Sequence, residues 1–550
     1  MKNILILALF LMVISTSCED FLNRKPTDRL STESFFKNKK DLEVALNAVY
    51  HEIGFNSWNR DYGKGTDMLR IEALTDNALD HHSWNAGYRL ADGTASTDDG
   101  YSTYRWKQRY QGIQRVNRIF ESVEGITDID PAYKKRLLAE AAFLRAYFYF
   151  DLVYLFGDVP FLTTSIKPED VEPIGDQAAE LAKRTDKTEI LGALLTDLQA
   201  IEDALPIQYE DQNKGRVTRG AAYFLKSKIY LYQKKYDAAA KAAKDVMDLN
   251  TYALYPAYKN LFTYEGIGNQ EVIFDIQVVQ DVDLGEFYTQ NFGPNSVGGW
   301  SSSCPLQSLV DAYECTDGLS INDSPLFDPN NPYANRDPRL AYSILFPGTE
   351  WRGGVYNSIP GASYPGGVIV PGDDLTDGTA GDWNKTATGY NWLKYMSNKD
   401  VDESNYWDGG VHFILMRYAE VLLTYAEAKI EANQIDPTVL DAINEVRSRG
   451  DVGMPAIPIG LSQDELREVV RNERRVEFAF EGIRLFDIRR WEIAEHVMPG
   501  VPKGLTYQDG GGNAVTFEWS ERIFNANKHY WWPIPQSEID VTKIDQNPNW

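Results

Sequence analysis

Apolar residues recur along this chain at helical spacing, in separate stretches divided by two long irregular regions. Leu42, Ala45, Leu46, Val49 and Tyr50 predict an early amphipathic helix. From Tyr133 to Phe156 the chain is apolar on nearly every side after Leu137, so the helix it predicts must be surrounded by others. Gly157 and Pro160 end it. Its aromatic run, Phe143, Tyr147, Phe148, Tyr149, Phe150 and Tyr154, reads as core packing and not as a ligand stripe. Residues 217–250 place Ser227, Tyr230, Ala239, Ala243 and Val246 around a turn at Lys234-Lys235-Tyr236. That is the spacing of a tetratricopeptide (TPR) pair, in which small residues let two antiparallel helices approach closely. Residues 417–433 with 440–449, and 139–156 with 188–204, supply two further candidate pairs. Each pair buries little alone, so the expectation is a mainly α fold: a stack of TPR-like pairs with a few short strands.

The stretch 464–491 is dense in charge and predicts one helix, with Glu468–Arg471, Arg474–Glu477, Glu481–Arg484 and Asp487–Arg490 as opposite pairs three residues apart. A structural ion-pair network accounts for these charges better than acid–base chemistry does. The irregular regions, 51–110 and 280–410, are rich in Gly, Asp, Asn and Trp. EVIFDIQVV (271–279) predicts a strand at the edge of the second. Irregular segments of this length are uncommon unless functional, and ligand contacts tend to come from loops held by a rigid frame.

The N-terminus sets the compartment. Lys2 precedes an unbroken apolar run from Ile4 to Ile14, too short to span a bilayer, and Ser15, Thr16 and Ser17 lead to Cys18. Residues 1–17 therefore read as a signal peptide, and Cys18 resembles the acylated cysteine of a bacterial lipobox, although Ser15 stands where many such motifs carry Leu. Glu19 and Asp20 resemble a surface-export signal of Bacteroidetes lipoproteins. The expected mature protein is anchored to a membrane by lipid, which needs more than one acyl chain for stable attachment.

Composition narrows the function. The 550-residue chain carries 55 Lys+Arg against 80 Asp+Glu, a formal charge of −25, which argues against binding to nucleic acid. Three cysteines exclude a disulfide scaffold; Cys304 and Cys315 can pair in an oxidising compartment, but spacing alone leaves that open. None of the six histidines forms a metal-ligand motif, and there is no GxSxG elbow, P-loop or dinucleotide fingerprint. No catalytic residue, resident metal or cofactor is expected. The acidic turns 328–337 and 373–382 leave a structural calcium open, though neither matches an EF-hand.

Aromatics make up 13% of the chain, and in the irregular regions they stand beside short polar residues. One set is Trp58, Trp84 and Tyr88 near Asp67, Asn77, Asp80 and Asn85. The other is Tyr288, Trp300, Trp351, Trp383, Trp392, Tyr395 and Trp407, with Asn295, Arg352 and Asn391 among them. An indole can cover the C–H face of a sugar ring while Asp, Asn and Arg bind its hydroxyl rim. Plugging of small satellite cores is the competing role for each ring. Between Asp281 and Asp408 six Lys/Arg face eighteen Asp/Glu, so neutral glycans fit that region better than polyanions.

Taken together these motifs resemble the SusD/RagB family of Bacteroidetes outer-membrane lipoproteins. The resemblance rests on CEDFL (18–22), LSTESFFKNKKDLEVALNAVY (30–50), AEAAFLRAYFYFDLVYLFGDVP (139–160) and GRVTRGAAYFLKSKIYLYQKKYDAA (215–239). It continues through NQEVIFDI (269–276), RDPRL (336–340), RYAEVLLTYAEAKIEAN (417–433), INEVRSRG (443–450), RNERRVEFAFEGIRLFDIRRW (471–491), WWPIPQSEID (531–540) and the ending QNPNW. It implies a signal peptide (1–17), an anchor and first helix (18–50), an N-terminal region with TPR-like pairs (51–280) and a C-terminal region (281–550) whose loops (281–410) face ligand. It further implies a non-catalytic lipoprotein that captures a neutral oligosaccharide or polysaccharide and delivers it to a SusC-type TonB-dependent transporter. By region, it nominates Trp84, Tyr88, Trp300 and Trp351 as stacking rings, Asp67, Asn85 and Arg352 as polar partners, and Cys304 on the same loop. The alternatives are a member that captures peptides or glycopeptides, a helical glycoside hydrolase or lyase, and a scaffold without a small ligand.

Overall fold

The computed structural model describes residues 36–54, 66–80, 82–85, 87–166, 180–280, 285–359 and 384–550. Cys18 with the leader, Trp58, Trp383 and the acidic turn 373–382 lie outside the described residues. The first described helix, α1 (Lys39–His51), opens on a capping box, the Asn38 side chain accepting from the Lys40 and Asp41 backbone N–H groups. Its buried face is Leu42, Leu46 and Val49, as the periodicity predicts.

Then come α2 (Gly100–Ser122) and α3 (Pro131–Phe156), which pack together. Asp99 caps α2, and Asp130 with Pro131 at the first helical position starts α3. A Cβ at Gly112 of α2 would lie 2.3 Å from the Phe148 ring of α3, so only glycine permits this approach. Burial runs round α3 from Leu137 onward, which is why an all-round apolar helix is stable here. Its C-terminus is locked by the chain's end: Trp532 N–H donates to Leu155 O (2.7 Å), and Asn547 Nδ2 to Phe156 O (2.8 Å). Asn549 takes the left-handed conformation (φ 64°) in place of a glycine.

The paired helices form as the sequence expects. α4 (Lys187–Ile201) packs on α3, α5 (Arg219–Tyr232) on α6 (Tyr236–Met247), and α7 (Tyr418–Glu431) on α8 (Pro437–Arg447). α6 also packs on α7, which joins the pairs into one stack. Ser227 Oγ donates to Ala239 O at 2.8 Å, a direct bond across α5 and α6 that needs a residue this small. The turn between them is tighter than the motif suggests: Lys234 adopts φ 57° and Tyr236 already begins α6.

The stretch 464–491 is not one helix. α9 (Gln463–Glu477) ends at Phe478, and a separate helix spans Arg484–Arg490. Phe480 (φ 62°) and Gly482 (φ 73°) break the helix so that the Phe480 ring stacks on Trp392, centroids 4.1 Å apart. Burying that ring outweighs the local preference for helix. The charges consequently pair across elements. Glu477 meets Arg417 (2.7 Å), Arg449 (2.8 Å) and Arg339 (2.8 Å), and Arg474 turns to Asp487 (2.9 Å). Of the four pairs expected within the helix, Asp487–Arg490 forms, at 2.9 Å. Strand β2 (Val272–Ile276) pairs antiparallel with β4 (Phe413–Arg417), while β1 (Ala78–Asp80) pairs with β3 (Ser303–Pro305). Among the described residues no helix is long and apolar enough to cross a membrane, and no group of three His, Cys, Asp or Glu is placed to hold a metal.

Candidate functional site

Strands β1 and β3 join the two irregular regions. Their register sets Ala78 opposite Pro305, Leu79 opposite Cys304 and Asp80 opposite Ser303. The segment leaving β1, which carries Trp84, and the segment entering β3, which carries Trp300, therefore emerge at the same end of this ribbon. Trp84 is 64% exposed and rests on the buried His82 ring, centroids 4.6 Å apart and planes 23° from parallel. Trp300 is half-buried and meets Trp407 edge to face at 5.1 Å. Trp407 is 48% exposed and lies over the buried ring of Phe287 at 5.9 Å. Each exposed indole thus has a second ring behind it, which orients the flat face at little entropic cost.

Polar bonds hold these loops. Asp80 Oδ1 accepts from the His82 backbone N–H (3.2 Å) and from Asn85 Nδ2 (2.7 Å), closing the turn that presents Trp84. Arg70 lies 3.0 Å from Asp67 and 3.6 Å from Asp80, and donates to Asn291 Oδ1 at 2.9 Å. Asn291 in turn accepts, through its backbone carbonyl, the Ser302 N–H at 2.8 Å, while Gln290 O accepts the Trp300 N–H at 2.8 Å. One guanidinium therefore spans both aromatic loops. Burial pushes the Asp80 carboxyl up to about 6, against the pull of Arg70 and Asn85.

The Trp407 loop is clamped to the same region by a two-bond bridge between Glu286 and Gly409, at 2.8 and 2.7 Å. Beneath it Tyr264 Oη donates to Asp400 at 2.7 Å and accepts the Gly410 N–H, also at 2.7 Å. Burial, reinforced by the nearby Asp400 charge, raises the Glu286 carboxyl well above its ordinary range.

Several nominated residues stand elsewhere. Trp351 is 6% exposed and packs with Leu345 and Tyr356 in a satellite core, so it offers no ring face to a ligand. Asp67 is fully buried against Arg70, and its carbonyl accepts the Tyr101 hydroxyl; it supports the site from within. Cys304 is buried mid-strand and donates to Ser301 O; Ser303 and Pro305 on either side are buried as well, so both faces of β3 are covered. No disulfide joins Cys304 to Cys315. Arg352 is exposed at the tip of a hairpin, bound to Asp402 at 2.7 Å. Tyr88 is half-buried at the start of the short helix Tyr88–Asp92, and Asn85 is committed to Asp80. Tyr288, Trp392 and Tyr395 belong to the main core. In the turn 328–337 the Asp328 carboxylate accepts the Asn330 N–H, an ordinary turn bond. Missed from sequence were Arg70, Asn291 and Phe287. A lone arginine ten residues before Asp80 carries no motif, and its role exists only once β1 meets β3.

Comparison with known proteins agrees with this architecture. A model described as the SusD family matches residues 270–550, and one described as starch-binding, associating with outer membrane, matches residues 20–231. A SusD-like protein of Formosa agariphila is 27% identical over 560 residues, spanning 100% of this chain and 99% of its own. A crystal structure of a SusD-like carbohydrate-binding protein from Bacteroides fragilis superposes with a TM-score of 0.79 at 30% identity, covering 92% of this chain and 99% of that one. The surface glycan-binding protein A of Bacteroides thetaiotaomicron, solved with laminarihexaose, shares the fold at TM-score 0.66 and 19% identity, covering 93% and 100% of the two chains. The chain belongs to the SusD family.

Proposed function

We propose that this protein is a non-catalytic, lipid-anchored outer-membrane protein that captures a neutral oligosaccharide on the Trp84–Trp300–Trp407 face. On this reading Cys18 carries the lipid, and the captured glycan passes uncut to a SusC-type TonB-dependent transporter. The observation that carries the reading is the pair of exposed indoles, Trp84 and Trp407, each backed by a second ring. Flat apolar faces beside hydrogen-bonding groups suit sugar rings, whose C–H faces need cover and whose hydroxyls need partners. The net excess of carboxylates in residues 281–408 disfavours polyanions there. Carbohydrate binding named for the Bacteroides fragilis relative, and the laminarihexaose bound to the Bacteroides thetaiotaomicron protein, lend the same support.

Titration calorimetry with laminarihexaose, maltohexaose and cellohexaose tests the proposal, with Trp84→Ala and Trp407→Ala alongside. Binding of at least one hexasaccharide, weakened in both variants, supports the site. Equal affinity in wild type and both variants rejects it. Release of reducing ends during incubation would favour the hydrolase alternative, and binding confined to peptides the peptide-capturing one.

A further inference from the structure

A cavity of about 610 Å³ opens along α2, away from the aromatic loops, against the C-terminal helix α10 (Gln536–Thr542). Its volume falls within the range of small-molecule sites. None of Trp84, Trp300 and Trp407 lines it. Lys107, Gln111, Gln114, Arg115 and Arg118 recur at helical spacing along the wall formed by α2, so one face of that helix carries three cations and two amides. The Tyr110 ring lies among them, fixed by a bond from its hydroxyl to Pro160 O at 2.8 Å. Leu162 and Ile166 add apolar surface beside it.

The charge balance is the reverse of that in residues 281–408. Lys107 and Arg118 are exposed, and neither has a carboxylate within ion-pair distance among the described residues. Arg115 is shared with Glu52 at 3.2 Å. The carboxyl that faces them across the cavity, Glu538, is pushed up by burial, against the pull of the Lys107 charge. Gln114 Oε1 accepts the Ile166 N–H at 2.8 Å, which fixes the amide, and its buried Nε2 finds no acceptor among the described residues.

We propose that this cavity is a second saccharide site, one that takes an anionic sugar bearing a carboxylate or a sulfate. The Tyr110 ring and the aliphatic side chains cover the sugar's C–H face, Gln111 bonds its hydroxyls, and Lys107 and Arg118 bind its charge. Guanidinium forks suit both carboxylate and sulfate oxygens. The site is independent of the neutral-glycan reading of the aromatic face, and its test separates the two.

Titration calorimetry at low salt with tetragalacturonate, a sulfated carrageenan tetrasaccharide and neutral maltotetraose provides the test. The wild-type protein is expected to bind at least one of the two anionic probes, more weakly in 0.5 M salt, by about the counterion screening expected of an exposed site. Whichever anion binds tells uronate from sulfate recognition. The double variant Lys107→Glu/Arg118→Glu, at two exposed positions, should lose about tenfold or more, the worth of one charge-assisted bond. Trp84→Ala should leave anionic binding unchanged. Failure of both anionic probes to bind, or unchanged affinity in the double variant, overturns the proposal. So does loss of anionic binding in Trp84→Ala, which would move it to the aromatic face.

Discussion

Two regions of this protein bury arginine against carboxylate, and they do so to opposite effect. Around Glu477 the cations answer the acids in full. Glu477 meets three guanidinium groups, and Glu271 is shared by Arg417 (2.8 Å) and Arg449 (2.6 Å). Those arginines hold the Glu477 carboxyl far below the usual range despite complete burial. At the aromatic face Arg70 is shared between Asp67 and Asp80, and at Asp80 burial wins over it: that carboxyl rises to about 6. A carboxylate met by three guanidinium groups stays ionised, and a network built on it behaves as frame. A network short of cations sits near a protonation boundary. Rigidity belongs to the first, and sensitivity to pH to the region that presents Trp84.

The largest effect should come from breaking the frame. Arg417→Met leaves Glu271, Glu477 and Glu481 short of a partner in the interior and should cost about 3–5 kcal/mol, read by urea denaturation. A loss below about 1 kcal/mol would mean the network is not frame. Next, Trp351→Ala should lower stability by about 3 kcal/mol, as for a core tryptophan, and leave glycan affinity alone. Trp84→Ala should do the reverse: affinity falls by about 1–3 kcal/mol, by analogy with bases stacked on aromatic side chains, with the unfolding midpoint unchanged. If both variants lowered affinity equally, the distinction between satellite core and platform would fail.

The fourth outcome concerns pH. Asp80 is raised in the folded state, from 3.8 to about 6, so the folded protein holds its proton more tightly than the unfolded chain. Its contribution is fully present below about pH 4 and is lost as pH rises through about 6, on the order of 3 kcal/mol. Asp80→Asn should therefore flatten the decline in unfolding free energy between pH 4 and 7 relative to wild type. Glu72, raised to about 7 by burial, declines over an overlapping window, so the difference between the two proteins is the informative quantity. An identical pH profile in the variant would remove Asp80 from the account. The smallest effect belongs to Arg352→Ala. Its pair with Asp402 is largely solvated, and its loss should change stability by no more than about 1 kcal/mol.

Helix pairing was legible because it is local. Ser227, Ala239 and Ala243 stand at spacings that only a close helix pair uses, and Ser227 does bond across it. The all-round apolar run after Leu137 likewise had one stable location, inside a bundle. In the charged stretch 464–491 the break is not legible, because the i, i+3 spacing satisfies a single surface helix equally well. Only Trp392, distant in sequence, gives Phe480 a reason to leave helical geometry. For the same reason the aromatic loops divided unpredictably. Trp351 and Trp407 both stand just before a Gly-Gly pair (WRGG and WDGG), yet one fills a satellite core and the other stands nearly half exposed.

The linear order of residues thus determined whatever depends on neighbours within a few turns: the paired helices, their caps and the apolar lining of α3. Contacts between distant segments decided the rest. The register of β1 against β3 set Trp84 and Trp300 at one end of a ribbon, and Arg70 joined their loops through Asp80 and Asn291. Periodicity reports which side of an element is apolar. It holds no information about which remote surface will cover a given ring, and that covering is what separates a buried indole from one left open to a sugar.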